Sequence, residues 1–123
     1  MDKFEFIGTP VAKPRMTRAD RYKKRPVVEK YWAFKDMIKL QAKQQKFKLA
    51  DEYSVVFVMP IAKSTSEKKK AEMYGEPHRL RPDLDNMLKS LNDCLMDEDS
   101  SVHNVHARKI WGYEGKIVVE NLT

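Results

Sequence analysis

Residues 81–99 read RPDLDNMLKSLNDCLMDED. Leu84, Leu88, Leu91 and Leu95 recur at i, i+4, i+7 and i+11, which predicts an amphipathic helix with one apolar face. Pro82 disfavours helix at the residue before it, so the helix starts soon after. Asp83 then falls at the N-cap, with Asn86 three residues later. An α/β or α+β fold follows once the flanking β-patterned segments are laid around this helix.

The two aspartates of this stretch are spaced D-x-D. Within a helix, residues two apart point roughly 200° away from each other. In extended or capping backbone, i and i+2 lie on one side. Asp83 and Asp85 therefore converge on one point only if the helix begins at about Asp85. Asp97, Glu98 and Asp99 follow the helix, where acids oppose the macrodipole. Acids placed against local preference suggest a cation, and carboxylate oxygens with open water positions suit Mg²⁺ or Mn²⁺ and not zinc. Lys89 sits one turn after Asp85, able to pair with it or to reach a phosphate or water beside the metal. On residues alone a plainer account also stands: a cap, a first-turn acid and a solvated acidic turn.

The pattern P-D-L-D-N-x-x-K at 82–89, followed by D-E-D-S at 97–100, resembles the signature of the RusA-type Holliday junction resolvases. That resemblance implies a small Mg²⁺-dependent endodeoxyribonuclease, of a family often encoded by phages and prophages. Asp83 and Asp85 match the family's D-x-D, Lys89 its essential lysine and Asp99 the last acid of its downstream run. The family places a longer loop, often with glycine, between helix and acidic run. Here Met96 leads directly into Asp97, so Glu98 stands beside Asp99 as an alternative third ligand.

The chain has 123 residues, which fits one domain over 1–123. No apolar run approaches the ~20 residues of a membrane span. The opening MDKFEFIGTP lacks the apolar core of a secretory signal. One cysteine, Cys94, excludes an internal disulfide and fits a reducing, cytoplasmic setting. Its place between Leu91 and Leu95 makes it a core residue rather than a nucleophile.

Net charge is +6. Residues 83–99 hold six of the 18 acids and one of the 24 basic residues, so the remainder carries 23 basic against 12 acidic side chains. A basic body around an acidic centre suits a metal nuclease: the cations neutralise a polyanion, and the carboxylates hold the ion that cuts it.

Lys3–Gly8 alternates as a first strand with Phe4 and Phe6 on one face. Residues 11–26 follow, with Lys13, Arg15, Arg18, Arg21, Lys23, Lys24 and Arg25 against Asp20 alone. Prolines bracket and interrupt this stretch, predicting a surface loop whose basic side chains contact DNA phosphates without reading sequence. Lys13-Pro14-Arg15 also sits where RusA-type proteins carry a K-x-R element.

A helix is predicted over Val27–Gln45, with Val27, Tyr31, Phe34, Ile38 and Ala42 inward and a lysine stripe at Lys35, Lys39, Lys43 and Lys46. Glu52–Pro60 reads as a central strand, apolar on both faces. Residues 61–80 read as a mobile, lysine-rich connection with a short helix within 65–73. Val102–Trp111 and Lys116–Glu120 read as two strands joined in a hairpin. His103 and His106, three apart on a strand, point to opposite faces and read as solvent-facing.

The order β-α-β-α-β-β predicts one mixed sheet of about four strands with two main helices. The resemblance implies the same fold, a homodimer, and paired nicks that resolve four-way DNA junctions in recombination and repair. Asp83, Asp85 and Asp99 would hold Mg²⁺, with Mn²⁺ as the alternative, and Lys89 would act on the phosphate. Two other functions fit the residues: a non-catalytic nucleic-acid binder, and a metal nuclease for other branched or flap DNA.

Overall fold

The structure, a computed structural model, describes residues 2–15 and 25–123. Its elements run β1 (Lys3–Ile7), α1 (Pro26–Gln44), β2 (Glu52–Pro60), α2 (Glu67–Met73), α3 (Leu84–Leu95), β3 (Asn104–Gly112) and β4 (Lys116–Asn121). One mixed four-stranded sheet carries α1 and α3 on a single face, as the predicted α+β class requires.

Phe4, Phe6, Tyr53, Val55, Phe57, Met59, Ile117 and Val119 point from the sheet into the core. The alternation of each strand places them on one face. Tyr31, Phe34, Ile38 and Ala42 of α1 meet them from above, with Met87, Leu91 and Cys94 of α3. Phe6 and Phe34 pack edge to face at 5.3 Å, an arrangement the ring quadrupoles favour. The helix faces are rotated slightly from expectation. Val28, not the 46 % exposed Val27, is the inward residue of the first α1 turn. On α3, Met87, Leu91 and Cys94 take the centre, and Leu84, Leu88 and Leu95 flank it half-buried.

α1 ends where Lys46 adopts φ 54°, a conformation more usual for glycine. The Phe47 N–H then bonds back to the Ala42 carbonyl at 2.9 Å. That turn lays the Phe47 ring on Phe4, centroids 5.1 Å apart.

The strand order β1-β4-β2-β3 corrects the expected hairpin. β4 lies antiparallel between β1 and β2, while β3 runs parallel to β2 on its other side. β2 is the most continuously apolar strand, and it takes both neighbours, as a buried central strand does. The connection over 61–80 also departs from expectation. After α2 it is strapped along β3: Gly75 N–H bonds to Trp111 O, Trp111 N–H to Glu76 O, and His78 N–H to Lys109 O. At the opposite border of the sheet, the side-chain amides of Gln41 and Gln45 reach down from α1. Each both donates to and accepts from the backbone of β1, Gln41 at Ile7 and Gln45 at Glu5.

Candidate active site

α3 begins at Leu84, one residue earlier than convergence of the two aspartates demands, and Asp83 is its N-cap in extended conformation. Neither Asp83 nor Asn86 supplies a side-chain cap bond, so the Asp83 carboxylate is not consumed by the helix end. Asp85 lies in the first turn, where the macrodipole favours an acid. Both are exposed, and among the described residues neither has an ion-pair or hydrogen-bond partner. Asp83 and Asn86 share an open hollow with Arg81 and Pro82. Lys89 is exposed too and forms no ion pair with Asp85, which removes the surface-pair alternative for it.

The approach to Asp83 is held from the sheet. Lys109 of β3 donates from Nζ to the carbonyls of Leu80 and Pro82, each at 2.5 Å. His78 is buried beside it and packs on Trp111, ring centroids 4.3 Å apart. Its Nδ1 is buried without a hydrogen-bond partner. Burial, and then the Lys109 charge, hold this imidazole below its ordinary pKa.

Asp97, Glu98 and Asp99 lie past the other end of α3. The Glu98 carboxylate accepts from Ser100 N–H at 3.1 Å within its own turn. Asp99 has no such bond among the described residues. Its charge lies close enough to Tyr53 to oppose ionisation of that phenol. Burial first, then Asp99, push Tyr53 up to about 12 against the lowering effect of its 2.5 Å bond to Asn92. The rest of α3 after Asp85, ~15 Å of helix, stands between the D-x-D pair and this acidic run. Among the described residues no group of three or more acids, histidines or cysteines gathers where it could hold a metal ion. The structure thus sets Asp83 and Asp85 on either side of the first residue of α3 and places Asp99 past the far end of that helix. Two exposed, unpartnered carboxylates still fit a magnesium ion, which keeps several waters and takes one or two carboxylates beside substrate phosphates.

Of the basic residues, Arg18, Arg21, Lys23 and Lys24 lie outside the described residues. Lys13 pairs with Asp93 at 3.2 Å, and Arg15 is exposed, its carbonyl accepting from Arg25 at 2.7 Å. Lys35 also pairs with Asp93, at 3.2 Å, and lies over the Trp32 ring at 5.4 Å. Lys39 and Lys43 line a hollow between α1 and the end of α3. His103 meets Glu52 at 3.4 Å and Ser101 O at 3.0 Å.

Asp93 is what the sequence reading missed. It accepts from the Tyr31 hydroxyl, Lys35 and Lys13. Burial pushes its pKa up, but these three donors together outweigh it and hold the carboxyl below its ordinary value. The available signal was a carboxylate beside the core residue Cys94 on an amphipathic helix.

Among the described residues no helix is long and apolar enough to cross a membrane. A comparison with curated proteins finds no match. The family model of endodeoxyribonuclease RusA matches residues 8–120, from just after β1 into β4, and takes in both long helices and the acidic run. The chain therefore belongs to the RusA endodeoxyribonuclease family, a family of Holliday junction resolvases.

Proposed function

We propose that this chain is a Mg²⁺-dependent, cytoplasmic homodimer that resolves four-way DNA junctions by paired nicks. The observation that carries the reading is the group Asp83, Asp85 and Lys89. They lie at the start of α3, are exposed and unpaired among the described residues, and fall within the stretch the family model matches.

Asp83 and Asp85 would hold the ion, with Mn²⁺ as an alternative. When bound there, it supplies Lewis-acid polarisation of the scissile phosphate and a water of lowered pKa. Lys89 would place its ammonium where negative charge develops on the phosphate oxygens. Arg15, Arg18, Arg21, Lys23 and Lys24 would neutralise and position the DNA backbone, while Lys13 is already paired with Asp93. Asp99 cannot join the pair across the length of α3 within one chain. We therefore infer that Asp99 of one copy completes the Asp83–Asp85 pair of a second across a two-fold axis. The Asp99 carboxylate, without a hydrogen bond among the described residues, is favoured over Glu98, whose oxygen is already engaged by Ser100.

Incubation with a synthetic mobile four-way junction, with Mg²⁺ and with chelator, tests the reading. Symmetric nicks that need Mg²⁺ support it. Metal-independent binding without cleavage would make the protein a binder, and preferential cutting of flaps or three-way forms would reassign the substrate.

A further inference from the structure

Three side chains converge on Asp93. Lys13, two residues before Arg15 in the basic segment, is 3.2 Å from Oδ1, and Lys35 of α1 is 3.2 Å from Oδ2. The Tyr31 hydroxyl also donates to Oδ2. One turn earlier on α3, Ser90 is 1 % exposed and donates to the Val11 carbonyl at 2.6 Å. Val11 and Lys13 are thus both held to α3, just where the chain leaves β1 for its basic segment. The two sides of that segment are joined as well, since Arg25 donates to Arg15 O at 2.7 Å.

A carboxylate at a helix–helix contact loses hydration, and only paired charge and hydrogen bonds offset the loss. An apolar residue would fill the same place without that cost. What the carboxylate adds is direction: it selects an ammonium and draws one particular residue, Lys13, against α3. In doing so it neutralises the charge that Lys13 would otherwise offer to a phosphate.

We propose that Asp93 is a positioning residue: through Lys13 it ties the base of the basic segment to the helix that carries Asp83, Asp85 and Lys89. DNA held by that segment is thereby set in register with the aspartates. This rests on the nuclease reading above, and it separates Lys13 from its neighbours. Lys13 is a tether, and the other basic residues are the phosphate contacts.

The test compares Asp93→Asn, Lys13→Met and the double variant in the full chain. Asparagine keeps the shape and still accepts from Tyr31, and Lys13 is exposed enough that its replacement spares the core. Tryptic cleavage after Arg15 should quicken several-fold in either single variant while circular dichroism stays that of the parent. Single-turnover junction cleavage at saturating protein should fall about tenfold in each, and the double should be no worse than the worse single, as for two ends of one contact. The salt slope of junction binding should stay unchanged in Lys13→Met, whereas Arg18→Ala should flatten it by about 0.9. Unchanged tryptic rates, additive losses, or a slope flattened in Lys13→Met would overturn the tether. A parent protein that cuts no DNA would remove the nuclease reading, and the tryptic rates would still decide whether Lys13 and Asp93 hold the segment.

Discussion

Lys109 Nζ stands 2.5 Å from the Pro82 carbonyl, so the middle of β3 holds the residue next to Asp83. The same ammonium takes the Leu80 carbonyl. The start of α3 is therefore fixed to the sheet by a charge as well as by the apolar contacts of Leu84 and Met87. Lys109→Met keeps the stem and removes the donor. A charge-assisted bond contributes about 1.5–3 kcal/mol net, and since the Leu80 bond is exposed and the Pro82 bond half-buried, a stability loss of about 2 kcal/mol is expected in a urea melt. Cleavage should fall further than the folded fraction does; a rate that simply follows the folded fraction would mean the contact does not place Asp83.

Asp83→Asn, Asp85→Asn and Asp99→Asn should each abolish cleavage and leave junction binding intact or tighter, because each removes a ligand charge and also a repulsion from phosphate. Mixing then locates the site. Asp85→Asn and Asp99→Asn chains, inactive alone, should regain nicking when combined, since a mixed dimer holds one complete set across the two-fold. No recovery in demonstrably mixed dimers would place Asp99 outside a shared site, and activity lost in Glu98→Gln but kept in Asp99→Asn would transfer the role to Glu98.

Lys89 makes no ion pair among the described residues, so Lys89→Ala costs no surface salt bridge there. The variant should fold, dimerise and bind junctions normally, yet cleave about a hundredfold more slowly or worse, as when a single preorganised electrostatic group is removed. Arginine should rescue poorly, because its planar fork does not replace a compact ammonium. Near-parental single-turnover rates for Lys89→Ala would remove it from the reaction.

His78 makes the fold sensitive to mild acid. Its folded pKa lies below the ordinary 6.5, so on acidification the unfolded chain binds the proton first. Stability from this group is complete above pH 6.5 and falls as pH drops toward the lowered folded value. His78→Phe keeps a ring against Trp111 and sacrifices no bond at Nδ1, which has none. Thermal midpoints between pH 7 and 5.5 should decline less in this variant than in the parent; parallel declines would assign the effect elsewhere.

Periodicity made α1, β2 and α3 legible in the sequence, because burying one face leaves a mark on every turn or alternate residue. Pairing leaves no such mark. β4 follows β3 after a short turn, yet it joins β1 and β2, because β2 needs an apolar neighbour on each side and its own pattern does not say which. The D-x-D pair was legible for a similar reason: two acids and a proline are close in the chain. Asp93 was not, since its partners lie 58, 62 and 80 residues away, and nothing local to α3 names them. Nor does spacing along the chain reveal that α3 holds Asp99 away from Asp83.

The glutamines on β1 and the 75–78 strap on β3 have a consequence for self-association. A sheet with free borders invites another strand to extend it, whether as a continuous dimeric sheet or as an aggregate. Here Gln41 and Gln45 act as a surrogate strand for β1, and Gly75, Glu76 and His78 occupy β3 with true backbone bonds. Both borders are partly occupied, which disfavours extension of the sheet by a second copy of this chain and leaves its faces and helices as the route by which one would meet it.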